Sequence, residues 1–130
     1  MKKTNKKNKI FPLVINWLPV FVWAAIIFSF SSLRSPKASD FFLFDFIVKK
    51  TSHVLEYAIL YVLIFRATSK NLVLSYFLVI LYAATDEFHQ SFIVGRTATP
   101  LDLGFDGSGA NISAYLLWKL KQIQPKKVKR

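Results

Sequence analysis

The densest group of side chains that could do chemistry lies in the stretch 81–96, LYAATDEFHQSFIVGR, and comprises Asp86, Glu87, His89 and Gln90. These carboxylate, imidazole and amide groups directly follow an apolar run that is typical of a membrane helix. A charged side chain costs roughly 2.5 to 3.5 kcal/mol at the centre of such a helix and less toward its ends. We therefore expect this group to line a protein interior or a wet cavity at a membrane surface.

A second polar group begins another apolar run. His53, Glu56 and Tyr57 fall at positions i, i+3 and i+4, which places them on one face of a helix, and Lys50 comes just before them. A phenol, an imidazole and a carboxylate on one helical face predict a polar wall rather than a lipid-facing surface.

A third polar group lies at the start of the last apolar stretch, where Asp102 and Asp106 share a helical face. The same stretch repeats the Gly-x-x-x-Ser spacing at 104–108 and 109–113. Small residues at this spacing let helices approach closely, so we predict a helix packed inside a bundle.

Apolar elements must position these three groups. Hydrophobic residues make up 53% of the 130 residues, above the roughly 45 to 50% that is usual in soluble domains. They gather into runs, and a tight turn at 66–71 makes two of the runs antiparallel neighbours. Cysteine is absent, which excludes disulfides and thiolate zinc sites. We predict an all-α fold, a bundle of four transmembrane helices at about 10–30, 51–67, 72–84 and 101–120.

The segments beside the first span allow more than one interpretation. The serine-rich residues 31–40 predict a turn-like connection. Residues 41–48 are aromatic and too short to span; we predict a short interfacial or re-entrant helix, and the alternative is that they start the second span. The basic start also resembles a signal peptide. The apolar run is too long for one and lacks a clean A-x-A site, which favours an uncleaved anchor.

The net charge of +11 is unevenly distributed along the chain. Eleven of the eighteen lysines and arginines lie in residues 1–9 and 119–130, so we divide the chain into a basic tail 1–9, a membrane domain 10–120 and a basic tail 121–130. Basic tails that flank apolar spans indicate contact with anionic lipid headgroups rather than with nucleic acid. With four spans, thirteen cations fall on the side of the tails and five on the other. Both termini are therefore predicted to be cytoplasmic in a multi-pass cell-membrane protein.

This orientation brings all seven acidic residues to the outer half of the bundle, where the three polar groups converge from distant parts of the sequence. We predict a polar site there. Its candidate residues are Lys50, His53, Glu56, Tyr57, Asp86, Glu87, His89, Gln90, Arg96, Asp102 and Asp106.

Three motifs in these groups resemble the VanZ-like family of small bacterial membrane proteins. The motifs are K-x-x-H-x-x-x-Y at Lys50, His53 and Tyr57, D-E-x-H-Q followed by G-R at Asp86, Glu87, His89, Gln90, Gly95 and Arg96, and D-x-x-x-D-x-x-G at Asp102, Asp106 and Gly109. The resemblance covers about residues 29–118, and the glycine-rich 104–109 departs from the expected pattern. It implies a cell-envelope protein that lowers susceptibility to teicoplanin and other glycopeptide or lipoglycopeptide antibiotics. It implies no mechanism.

The chemistry of the candidate residues leaves several functions open. His53, His89, Glu87 and Asp86 supply ligands that suit a divalent metal, which could activate water for hydrolysis of a lipid-linked or cell-wall substrate. No H-E-x-x-H arrangement supports this hypothesis.

Binding without turnover is the favoured interpretation. Arg96 and Lys50 could hold a phosphate or carboxylate of a lipid-linked or cell-wall ligand, or of a glycopeptide. Proton-coupled transport would require an oligomer, and the sequence does not specify an oligomeric state.

A purely structural cluster is the third interpretation. In that case Asp86 or Glu87 pairs with Arg96, and Asp102 pairs with Lys50, to hold the helices together.

Overall fold

The computed structural model describes residues 7–33, 42–96 and 99–123, and in these ranges the chain forms helices and no strands. The prediction of an all-α fold is confirmed. The helices are α1 (Lys7–Ser32), α2 (Phe42–Ala67), α3 (Leu72–Gln90) and α4 (Pro100–Ile123).

Helix α2 begins earlier than the predicted second span. The prediction of a separate interfacial or re-entrant helix is wrong for 42–48, which form the first turns of α2; residue 41 lies outside the described residues. No proline or glycine interrupts the chain between 42 and 51, so nothing in the sequence ends a helix there. Lys49 and Asp45 add an i, i+4 ion pair with an Nζ–Oδ2 distance of 2.6 Å.

Helix α1 ends later than predicted. Ser31 and Ser32 belong to its last turn rather than to the connection, and the Ser32 hydroxyl donates to the carbonyl of Phe28 at 2.8 Å. The rest of the predicted connection, 34–40, lies outside the described residues. The extension matters because it carries two serine hydroxyls to the level of the polar groups.

Helix α3 begins at a capped turn and runs through the D-E-x-H-Q stretch. Its N-cap is Asn71, whose side chain accepts a hydrogen bond from the Leu74 amide at 3.0 Å. Ser69 and Lys70 take positive φ angles of 56° and 66°, which close the predicted tight turn. The helix continues to Gln90 rather than ending near 84, so the ionisable residues lie on its last turns.

Helix α4 starts with reciprocal capping. Thr99 donates from its amide and hydroxyl to Asp102 Oδ2 at 3.2 and 2.9 Å, and the Asp102 amide donates to the Thr99 carbonyl at 2.9 Å. Pro100 occupies the first helical position, where its missing N–H costs nothing. The glycine-rich 104–109 therefore lies inside the helix.

Helix α2 is the centre of the bundle and packs against the other three helices. Its side chains Tyr57, Leu60 and Tyr61 are fully buried. Polar side chains also join the helices, since Trp23 Nε1 donates to the Glu56 carbonyl at 3.0 Å and Tyr82 donates from its hydroxyl to the Ala24 carbonyl at 2.6 Å. These bonds fix the rotation of α1 and α3 about their axes relative to the polar groups.

The closest approach of α4 to α2 occurs at Gly109. A Cβ atom at this position would overlap the Val54 carbonyl, and the Ser113 hydroxyl donates to the Ala58 carbonyl at 3.1 Å. The predicted close packing is confirmed for 109–113. It is wrong at Gly104, which is exposed and would have no atom within 4 Å of an added Cβ.

The outer surface of the bundle is strongly apolar. Ile10–Ser32 and Leu72–Gln90 are each long and apolar enough to cross a membrane, a test that a signal sequence or a buried helix also passes. In Ile10–Ser32 only 11% of the most apolar window is buried. Soluble monomers rarely expose contiguous apolar patches larger than a few hundred Å². The exposed large side chains on these two helices include Phe11, Leu18, Phe21, Val22, Phe28, Val73, Phe77, Leu81 and Phe88.

The Gly109 contact gives a first prediction. Gly109→Ala should lower the free energy of unfolding by about 1 to 3 kcal/mol, because the new methyl group forces α4 away from α2. Gly104→Ala is the matched control and should be neutral or stabilising by up to about 1 kcal/mol, because alanine favours the helix and meets no neighbour. Thermal unfolding in detergent measures both. Equal midpoints for the two variants would contradict the assigned helix contact.

Candidate functional site

One end of the bundle contains a cavity of about 410 Å³ between α2, α4 and the loop after α3. Its wall contains four basic side chains, of which three were candidates from the sequence. The lining residues are Asp45, Phe46, Lys49, Lys50, His53, Gln90, Gly95, Arg96, Thr99, Leu101 and Asp102.

Lys50 is held between a carboxylate and two aromatic rings. Its ammonium group pairs with Asp102 Oδ1 and lies 5.6 Å from the Phe46 ring centroid and 5.1 Å from that of Phe105. The predicted pair with Asp102 is therefore confirmed.

His53 forms a hydrogen-bonded pair with Asp106 across α2 and α4. The distance from Nδ1 to Asp106 Oδ1 is 3.0 Å, and the aspartate is fully buried. This bond orients the imidazole and leaves Nε2 without a partner among the described residues, while the ring lines the cavity. A carboxylate in this position fixes the tautomer of an imidazole that exchanges protons at its other nitrogen.

Arg96 closes the cavity from the loop after α3. Its Nη1 donates to the Ser31 carbonyl at 2.6 Å, so the cation lies at the C-terminal end of α1, where carbonyls lack helical partners. The predicted pairing of Arg96 with Asp86 or Glu87 is wrong, and no carboxylate among the described residues forms an ion pair with it. Gly95, with φ +86°, supplies the left-handed backbone that turns the chain here.

Asp86 is the hub behind the cavity. Its Oδ2 accepts hydrogen bonds from the Ser31 hydroxyl at 2.8 Å, the Tyr57 hydroxyl at 3.1 Å and Gln90 Nε2 at 2.8 Å. Gln90 also donates to the Ser31 hydroxyl oxygen at 3.2 Å. This one carboxylate oxygen thereby joins three helices. Asp86 as a whole is only 2% exposed.

Several buried carboxylate oxygens have no hydrogen-bond partner among the described residues. They are Asp86 Oδ1, both oxygens of Glu87 and Oδ2 of Asp106. Native proteins keep few such groups, because each carries an uncompensated desolvation cost. These oxygens lie at the same end of the bundle as the cavity.

His89 and Glu56 lie apart from the cavity wall. His89 stacks on Phe28 with a ring-centroid distance of 4.3 Å, and its Nε2 lies 3.0 Å from the Ser32 hydroxyl oxygen. Glu56 is half-buried, and its carbonyl accepts the bond from Trp23. Neither residue lines the cavity.

The four candidate metal ligands lie apart from one another. His53 turns to Asp106 and His89 turns to α1, so the four proposed ligands do not converge. Among the described residues no group of three or more histidine, cysteine or carboxylate side chains is arranged to hold a metal ion. The described residues therefore give no support to a metal site formed by His53, His89, Glu87 and Asp86, which stays a hypothesis.

A family model described as VanZ/LLP1 matches residues 1–122. The chain belongs to the VanZ/LLP1 family. Neither a curated protein nor a solved structure matches it. In this VanZ/LLP1 chain the three motifs seen in the sequence meet at one end of the bundle, with Lys50 and His53 facing Asp102 and Asp106.

Some residues of the VanZ/LLP1 site escaped the sequence analysis. Ser31 was assigned to a turn, and only the true end of α1 reveals that it donates to Asp86. The contact of Phe46 with Lys50 could have been found from the sequence. Phe46 precedes Lys50 by four positions, and a continuous α2 places both on one helical face. Phe105 follows Asp102 by three positions and encloses Lys50 from α4.

The Asp86 hub gives a second prediction. Asp86→Ala should lower the free energy of unfolding by about 3 kcal/mol or more, because three buried donors lose their acceptor. Thr85→Ala is the matched control on the adjacent, exposed position and should change it by less than about 0.5 kcal/mol. Chemical unfolding in detergent, followed by circular dichroism, measures both. The hub assignment fails if Asp86→Ala unfolds at the same denaturant concentration as the control.

Proposed function

We propose that this VanZ/LLP1 chain is a multi-pass protein of the cell membrane, with four spans and both termini in the cytoplasm. The apolar outer faces of α1 and α3 support the membrane location. The charge asymmetry of the sequence supports the orientation, because it leaves thirteen cations on the side of the termini. In this orientation the 410 Å³ cavity opens toward the outer face.

We infer that the cavity binds an anionic group of a lipid-linked or cell-wall ligand, or of a glycopeptide, and so lowers susceptibility to glycopeptide and lipoglycopeptide antibiotics such as teicoplanin. The observation that carries this proposal is Arg96, a half-buried guanidinium at the cavity wall with no carboxylate partner among the described residues. One of its nitrogens serves the Ser31 carbonyl, and its remaining N–H groups are available to a carboxylate or phosphate.

The neighbouring charges suit a ligand that carries more than an anion. Lys49 and Lys50 are paired with Asp45 and Asp102, so that side of the wall is close to neutral. The ring of Phe46 adds an aromatic surface to this side of the cavity wall. The arrangement favours an anionic group at Arg96 that is attached to an uncharged or amphipathic body.

A second candidate function is hydrolysis without a metal ion, and the His53–Asp106 pair is the observation that favours it. The oriented imidazole could take a proton from water at the cavity. The two functions differ in what His53→Gln does: it abolishes turnover if the pair is catalytic, and it leaves antibiotic protection in place if binding alone protects.

Protection by variants tests the proposed function. A susceptible host that lacks the gene receives the wild type, Arg96→Gln, Arg96→Lys or Arg66→Gln, and teicoplanin susceptibility is measured together with membrane protein levels. Arg96→Gln should abolish protection at an unchanged protein level, because the anion loses its partner. Arg96→Lys should retain part of it, because the charge remains but bidentate contact is lost.

Arg66→Gln is the matched control, since it removes an arginine at the opposite end of α2. It should protect like the wild type. If Arg96→Gln also protects fully, or if protection falls only in step with the amount of protein in the membrane, the cluster is structural and the binding proposal is withdrawn.

A further inference from the structure

A groove of about 430 Å³ lies at the end of the bundle opposite the polar cavity. It runs between α3 and α4, with α2 as its floor. Apolar and aromatic side chains form nearly all of its wall, and the lining residues are Tyr61, Leu72, Val73, Tyr76, Asn111, Ala114, Tyr115 and Trp118.

The wall of the groove contains few polar groups. The Tyr61 hydroxyl already donates to the Leu72 carbonyl at 3.1 Å, which satisfies the floor of the groove. Val73 is 81% exposed, and the rings of Tyr115 and Trp118 lie 6.1 Å apart at the rim. Tyrosine and tryptophan with an apolar body beside them are typical of the membrane interface.

Three lysines are close in sequence to residues at one end of the groove. Lys70 precedes the lining residue Leu72 by two positions, while Lys119 directly follows Trp118 and Lys121 lies two positions further on. All three side chains are exposed, and none forms an ion pair with a described residue. An apolar slot that ends in unpaired cations is complementary to an anion with a hydrocarbon tail.

We propose that the groove holds one acyl chain of an anionic glycerophospholipid, whose phosphate is bound by Lys70, Lys119 and Lys121. The proposal rests on the membrane location and orientation proposed above, and it is independent of what the polar cavity binds. A second copy of this chain fits the groove poorly, because its own basic end would meet the same three lysines. In the proposed orientation this site faces the cytoplasmic leaflet, whose surface is anionic.

Fluorescence quenching by brominated lipids tests the proposal. The purified full-length protein is reconstituted into phosphatidylcholine vesicles that contain the same fraction of either brominated phosphatidylglycerol or brominated phosphatidylcholine. The signal of Trp118 is the difference between wild type and Trp118→Phe. We expect stronger quenching by the anionic lipid, with an apparent preference that falls about fivefold for each lysine replaced in Lys119→Gln and Lys121→Gln.

A groove-filling variant separates a site from general contact with the bilayer. Ala114→Phe occupies the groove and should reduce quenching of Trp118 by the anionic lipid, whereas Leu116→Phe adds the same ring to an exposed position on α4 and should not. Equal quenching by both lipids, unaffected by Ala114→Phe, would overturn the proposed lipid site while leaving the membrane location intact. Quenching by neither lipid would overturn the membrane location itself.

Discussion

The arrangement of the polar end depends on one buried carboxylate oxygen. Oδ2 of Asp86 accepts hydrogen bonds from side chains on α1, α2 and its own helix α3. A serine hydroxyl, a tyrosine hydroxyl and a glutamine amide can meet at one atom only if the three helices keep a fixed rotation and depth relative to one another. The apolar contacts along α2 fill the space between the helices, but they are nondirectional. The directional hydrogen bonds to Asp86 set the relative rotation and depth of the three helices.

The polar network has two layers, which differ in how many of their hydrogen-bonding groups have partners within the bundle. In the inner layer, around Asp86, the side-chain donors form hydrogen bonds within the bundle. In the outer layer only some of the nitrogens are bonded. One ring nitrogen of His53 pairs with Asp106, and one guanidinium nitrogen of Arg96 donates to the Ser31 carbonyl. The unused nitrogens belong to residues that line the cavity. A rigid inner layer that positions partly engaged outer groups is the usual construction of a site that binds a ligand with little rearrangement.

The sequence predicts most of this where helical periodicity decides the outcome. Asp102 and Asp106 share a helical face, as their spacing predicts, and both meet α2. The sequence suggested the Lys50–Asp102 pair as one alternative, whereas the His53–Asp106 pair is seen only in the structure. The failures come where the outcome depends on helix ends or on loops. The extra turns of α1 and α2 brought in Ser31 and Phe46, while the loop conformation at Gly95 sent Arg96 to a backbone carbonyl instead of a carboxylate. His89 lies three positions after Asp86 and shares its helical face, and both contact α1: Asp86 accepts from Ser31, and His89 meets Ser32 and Phe28.

The pairing of α2 with α4 bears on how the chain enters a bilayer. In the proposed topology α1 and α3 are apolar enough to partition into lipid individually, whereas α2 and α4 each carry ionisable groups and do not meet the same criterion in the described ranges. Those groups neutralise one another across the α2–α4 contact, where Gly109 also brings the two backbones together. Because α4 follows α2 in the sequence, α2 lacks its electrostatic partners until α4 has been synthesised. In the proposed topology the stable insertion of α2 therefore depends on a helix that is made later in synthesis.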